Sequence, residues 1–120
     1  MISKELLSEV LKQETRFIRY VANNTYEVHF EKPIRLKYII INIYELAHKC
    51  KEWANNLPSK RYQLYSGICP KSLNYSVCSI FSGAIEQTEE IIANSEVEAI
   101  IKACQWILDN KQKRGNYENN

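Results

Sequence analysis

Apolar residues recur along this chain with two different periods, and the switches between them mark out the elements. Leu6, Leu7, Val10 and Leu11 share one helical stripe behind Ser3, a capping residue, while Lys4, Glu5, Ser8, Glu9 and Lys12 lie outside it. The spacing predicts a helix from Lys4 to about Glu14. From Thr15 to Ala22 the chain turns to β-forming residues, and Asn23-Asn24 is a turn dipeptide that tolerates positive φ. Beyond it Tyr26, Val28 and Phe30 alternate with Glu27, His29 and Glu31, the mark of a hairpin with one face wet. Lys32-Pro33 breaks this run, and Ile34, Leu36, Tyr38 and Ile40 resume it as a third strand.

Asn42-Ile43-Tyr44-Glu45 has the form of a capping box and opens a helix to about Asn56. Its stripe is Ile43, Leu46, Ala47, Cys50, Trp53, Ala54 and Leu57, and on its wet side Glu45–Lys49 and His48–Glu52 stand at ion-pair spacing. Strands follow at Arg61 to Ser66 and Asn74 to Ser82. Residues 84–93 fit a helix or a strand. A strand from Gln87 to Ala93 is preferred, because it gives the two preceding strands a third partner. Ser95-Glu96-Val97-Glu98 is a second capping box. Val97, Ile100, Ile101, Cys104, Ile107 and Leu108 form the stripe of the helix it opens, and Lys111, Lys113 and Arg114 follow its last turn. The expected fold is α+β, helix-βββ-helix-βββ-helix with antiparallel sheet, as one domain over 1–114 with a frayed tail at 115–120.

Composition sharpens this picture. The chain has 120 residues, 45% hydrophobic and 25% charged, which fits a single buried core and excludes a disordered segment. The longest apolar run is Tyr38 to Ile41, far too short for a membrane-spanning helix. The start of the chain lacks the basic and apolar regions of a signal peptide, so the expected location is the cytoplasm, with reduced thiols. Glu outnumbers Asp 13 to 1, and Ile (15) and Asn (11) are abundant, as codon supply in an AT-rich genome produces. The net charge of +2 conceals opposite blocks: residues 34–71 hold seven cations against two carboxylates, residues 72–109 one against six. Such blocks suggest complementary faces, within the fold or between copies.

Candidate chemistry is sparse. His48 and Cys50 point about 200° apart on a helix and cannot share a metal ion. Cys50, Cys78 and Cys104 read as core thiols, and Cys69, in a Pro-containing loop, as the exposed one. There is no nucleophile elbow and no phosphate-binding glycine loop, and the single Asp, Asp109, sits near a helix end. The expectation is a protein without catalytic site, metal or cofactor. Two surfaces are candidates for binding. Arg35, Lys37, Lys49, Lys51, Lys60, Arg61 and Lys71 interleave with Tyr38, Trp53, Tyr62 and Tyr65, a combination that can follow phosphates and stack bases. Ala99, Ala103 and Trp106 form a second apolar stripe on the last helix, which either packs on the N-terminal unit or meets a partner.

Two resemblances add to this reading. Residues 42–110, with Glu45 on the first helix and Ala99-x-x-x-Ala103-Cys104 on the second, resemble the αβββα layout of the double-stranded-RNA-binding domain family. That family grips phosphates with a basic cluster at the start of its second helix. Ser95-Glu96-Val97-Glu98 stands there instead, so the resemblance implies topology and argues against that activity. The strings from Glu45 to Ala54 and from Glu98 to Leu108 are similar to small bacterial and phage-encoded proteins of AT-rich genomes, a likeness that brings no activity with it. The function expected is a protein-interaction module of phage or mobile-element type, with a homodimer among its forms. The alternative is nucleic-acid binding by the basic segment 34–71.

Overall fold

Each helix begins where a short polar side chain replaces the acceptor that the first backbone N–H groups lack. In the computed structural model, which describes residues 2–32, 37–58 and 60–118 with side chains as far as Lys111, Ser3 accepts from the Leu6 amide at 3.1 Å. Asn42 accepts from Tyr44 at 2.8 Å, and Ser95 from Glu98 at 3.2 Å. The helices they open are α1 (Lys4–Leu11), α2 (Ile43–Asn55) and α3 (Glu96–Glu118). α1 stops three residues short of the predicted end because Lys12 enters the left-handed region (φ 57, ψ 34) and its amide closes on the Ser8 carbonyl. Glycine usually fills this position, and a residue with a Cβ costs about 1 kcal/mol there. α3 continues past Asn110, where the sequence predicts its last turn.

The strands form two antiparallel sheets. β1 (Thr15–Ala22), β2 (Thr25–Phe30) and β3 (Tyr38–Asn42) make the first, in the order β1-β2-β3. Asn23 and Asn24, with φ of 50° and 60°, supply the tight β1–β2 turn. Of the third predicted strand, Tyr38 to Asn42 is observed; Ile34, Arg35 and Leu36 lie outside the described residues. In the second sheet β5 (Ser76–Ser82) has β4 (Gln63–Ile68) on one side, and on the other both β6 (Ile85–Glu86) and β7 (Ile91–Ala93). The segment 84–93 is therefore one interrupted strand. It pairs as far as Gln87, whose amide donates to the Ile80 carbonyl at 2.8 Å, leaves the ladder, and rejoins at Ile91 opposite Cys78. Two residues more than β5 can match are pushed out at this break, which carries Glu89 and Glu90.

One contiguous core joins the two sheets. Leu6 and Leu7 of α1, Val28 and Ile41 of the first sheet, Leu46 and Cys50 of α2, Ile80 of β5, and Ile101 and Ile107 of α3 are all buried within it. The molecule measures 43 × 41 × 19 Å. A helix stacked on a sheet occupies about that shortest dimension, so the slab holds one helical layer and one sheet layer with no third. The outer face of each sheet is left open. Among the described residues no helix is long and apolar enough to cross a membrane.

Candidate functional site on the open face of the first sheet

Strand alternation puts Val28, Ile39 and Ile41 toward the helices and their neighbours in sequence toward solvent. The antiparallel register then assembles the outer face in rows. Phe17 stands opposite His29 and His29 opposite Tyr38; Arg19 stands opposite Glu27 and Glu27 opposite Ile40. The first row is a ladder of rings. Phe17 and His29 stack with centroids 4.2 Å apart at 18°, and His29 and Tyr38 at 5.1 Å and 24°. The second row is polar at its centre. Arg19 donates twice to Glu27, at 2.9 and 3.0 Å, and His29 Nε2 reaches the same carboxylate at 2.5 Å. The Arg19 hydrogen bonds, with a smaller contribution from His29, hold the Glu27 carboxyl below its ordinary value of 4.5. Around this neutralised pair, Phe17 (40%), Val21 (51%), Tyr38 (46%) and Ile40 (63%) remain exposed.

Ring geometry limits what this face can do. Strands lie about 4.8 Å apart, so rings stacked across them turn their faces toward one another and their edges to solvent. A nucleobase needs an open ring face to stack upon, and both faces of His29 are taken by Phe17 and Tyr38.

The basic residues that the sequence singles out lie on several different elements. Lys37 is exposed at the start of the third strand and Lys49 is half-buried on α2. Lys51 donates to Ser66 at 3.3 Å, while Lys60 donates to Gln87 at 2.6 Å and lies 5.4 Å from the Tyr62 ring. Arg61 and Lys71 are exposed on different loops, and Arg35 lies outside the described residues. The second apolar stripe of α3 packs inward. Ala99 and Ala103 have no exposed area, which leaves them nothing to offer a partner, and Trp106 is half-buried against the core. Ser3 of the N-terminal unit donates to Gln105 beside it at 2.6 Å.

Two further expectations are corrected. Cys69 is buried, because the β4–β5 connection folds back through a 2.8 Å bond from its amide to the Tyr75 carbonyl. Lys49 makes no ion pair with Glu45, whereas His48 and Glu52 do meet, at 2.8 Å. Among the described residues no three potential ligands come together as a metal site.

One polar group escaped the sequence reading. Ser66 of β4 donates to Glu96 at 2.7 Å and accepts from Lys51, tying β4 to the start of α3 and to α2. The basic middle and the acidic final third of the chain thus meet within the fold at this point. Their residues lie 15 and 30 positions from Ser66, and local spacing gives no sign of the contact. No family model, curated protein or solved structure shows a significant match to this chain.

Proposed function

We propose that this protein is a binding module without catalytic activity, and that its partner is a second copy of the chain docked on the open face of the first sheet. The observation that carries this reading is the cluster of Phe17, Val21, Tyr38 and Ile40, all substantially exposed, around the Arg19–Glu27 pair. A contiguous exposed patch, unlike a single exposed hydrophobic residue, calls for a partner. Burial of such a patch is favourable by about 25 cal/mol per Å². In a two-fold contact only groups near the axis meet their own twins, and an unpaired charge there would face its like. Glu27 pairs with Arg19 in the patch, while Arg16 lies 6.0 Å from the Phe17 ring centroid. Nucleic acid is the less favoured partner, because both faces of His29 are covered by Phe17 and Tyr38 and the described basic residues come from different elements.

Sedimentation velocity over a range of concentrations, at low and high salt, tests the proposal. The expected result is a concentration-dependent dimer that survives high salt, is lost in Ile40→Glu, and persists in Tyr65→Glu on the other sheet. A monomer at every concentration would overturn it, as would a dimer indifferent to Ile40→Glu. Binding of single strands or duplex with a steep negative salt slope would replace it with the nucleic-acid reading.

A further inference from the structure

On its helix-facing side the first sheet borders a second feature. The end of α1, β2, β3 and α2 enclose a cavity of about 720 Å³, within the size range of small-molecule sites. Leu11, Phe30, Ile39 and Trp53 give it apolar wall, and Gln13 and Asn56 are polar residues in the same lining. Lys12, Lys49 and Glu52 are the charged residues among those that line it. Glu52 meets His48 at 2.8 Å and still brings one carboxylate to the lining, against two lysines that have no carboxylate within ion-pairing distance among the described residues. A lining with apolar side chains and this excess of ammonium groups matches a ligand that has an apolar body and one anionic head.

Lys12 reaches this lining as the residue that ends α1, in a left-handed backbone conformation at φ 57 where glycine is the unstrained choice. We infer that this cavity binds a small amphipathic monoanion, with the hydrocarbon or aryl body against Phe30, Ile39 and Trp53 and the carboxylate or equivalent head held by Lys12 and Lys49. The site lies on the opposite side of the sheet from the face proposed for self-association, so either can fail without the other.

The test is an NMR titration of the full chain with decanoate and, separately, with decanol, which keeps the body and removes the charge. The molecule carries its own control, since Trp53 lines the cavity and Trp106 does not. The Trp53 indole signal is expected to move with decanoate while that of Trp106 stays, and decanol is expected to bind at least about tenfold more weakly, the effect of one lost charge-assisted contact. Lys12→Gly is expected to weaken decanoate about tenfold while raising the melting temperature by a few degrees, roughly what relief of one strained residue gives. Lys49→Gln, which leaves the backbone untouched, is expected to weaken decanoate as well. The inference is overturned if Trp53 does not respond, if decanol and decanoate bind equally, if shifts appear only around Tyr38 and Ile40, or if Lys12→Gly keeps full affinity.

Discussion

The two sheets of this protein are both covered on one side only, yet they use their residues differently. In the first, the outer face is organised: three rings stack in one row, and Arg19, Glu27 and His29 satisfy one another beside them. In the second, the organisation lies on the helix-facing side. Cys78 and Ile80 are fully buried there, Ser66 joins Lys51 and Glu96 at its solvent-exposed margin, and the outer face brings Tyr65 edge-on to Phe81 at 5.6 Å. Both outer faces carry exposed apolar side chains, Tyr65 and Ile92 on the second sheet among them; what sets the second sheet apart is that it fastens α2 to α3. A polar cluster on an outward face leaves packing untouched, whereas one between layers fixes the spacing of the elements it joins.

The contrast is most easily broken by substitutions of the same kind in the two places. Ile80→Ala removes a fully buried side chain on the inner side of the second sheet. It should cost about 2–5 kcal/mol, the usual range for a core truncation that leaves a cavity. Ile40→Ala on the open face, where the side chain is 63% exposed, should change monomer stability by less than about 0.5 kcal/mol. Urea unfolding at low protein concentration, with unchanged slope, measures both. A loss above about 1.5 kcal/mol for Ile40→Ala would mean that the face is part of the core, and would remove the distinction.

What could be read from the chain was whatever depends on neighbours in sequence. The stripe of α1, the Ser3, Asn42 and Ser95 caps, and the wet side of the β1–β2 hairpin all follow from spacing of four residues or fewer. A lysine carries no stop signal, so the sequence runs the first helix through Lys12; only the backbone shows that the helix ends there. Alternation alone places His29 on the wet face. Its stacking between Phe17 and Tyr38, however, depends on the register of three strands, which no single strand encodes. The burial of Cys69 likewise comes from the return of the hairpin at Tyr75, six residues on. The charge blocks were visible in the sequence, and the meeting of Lys51 with Glu96 through Ser66 was not.

The buried thiols sharpen the comparison at high pH. Desolvation pushes Cys78 up to about 11 from its ordinary 9.0, the nearby Lys51 opposing and Glu96 assisting. Cys104 is raised well above 9.0 by its hydrogen bond to Cys50 and by burial. A thiol whose folded value is raised stabilises the protein fully below the unfolded value, and that contribution is lost as pH climbs toward the folded one. The window is therefore pH 9 upward. The advantage of the parent protein over Cys78→Ala in melting temperature should hold at pH 8 and narrow by a few degrees, roughly, toward pH 10.5. A gap that stays constant would show that the thiol does not titrate differently in the folded state. Ile40→Ala leaves all four thiols in place, so it should show no such narrowing.

The smallest effect expected belongs to the acid side and to the open face. Glu27 is held below 4.5 first by Arg19 and then by His29. Its contribution is therefore present above about pH 4.5 and is lost as pH falls through the lower folded value. Carboxyl carbon shifts should place the Glu27 midpoint below 4.5 in the parent protein and return it upward in Arg19→Met, with a smaller return in His29→Phe. A parent midpoint at or above 4.5 would refute the arrangement. The same titration bears on self-association. Protonating Glu27 leaves Arg19 as an unneutralised cation in an apolar face, which a self-associated dimer would have to bury without its partner charge. The dimer should accordingly weaken as pH falls through the Glu27 midpoint, and the outer face of the second sheet, where no such pair exists among the described residues, should give the Tyr65→Glu variant the same acid dependence as the parent.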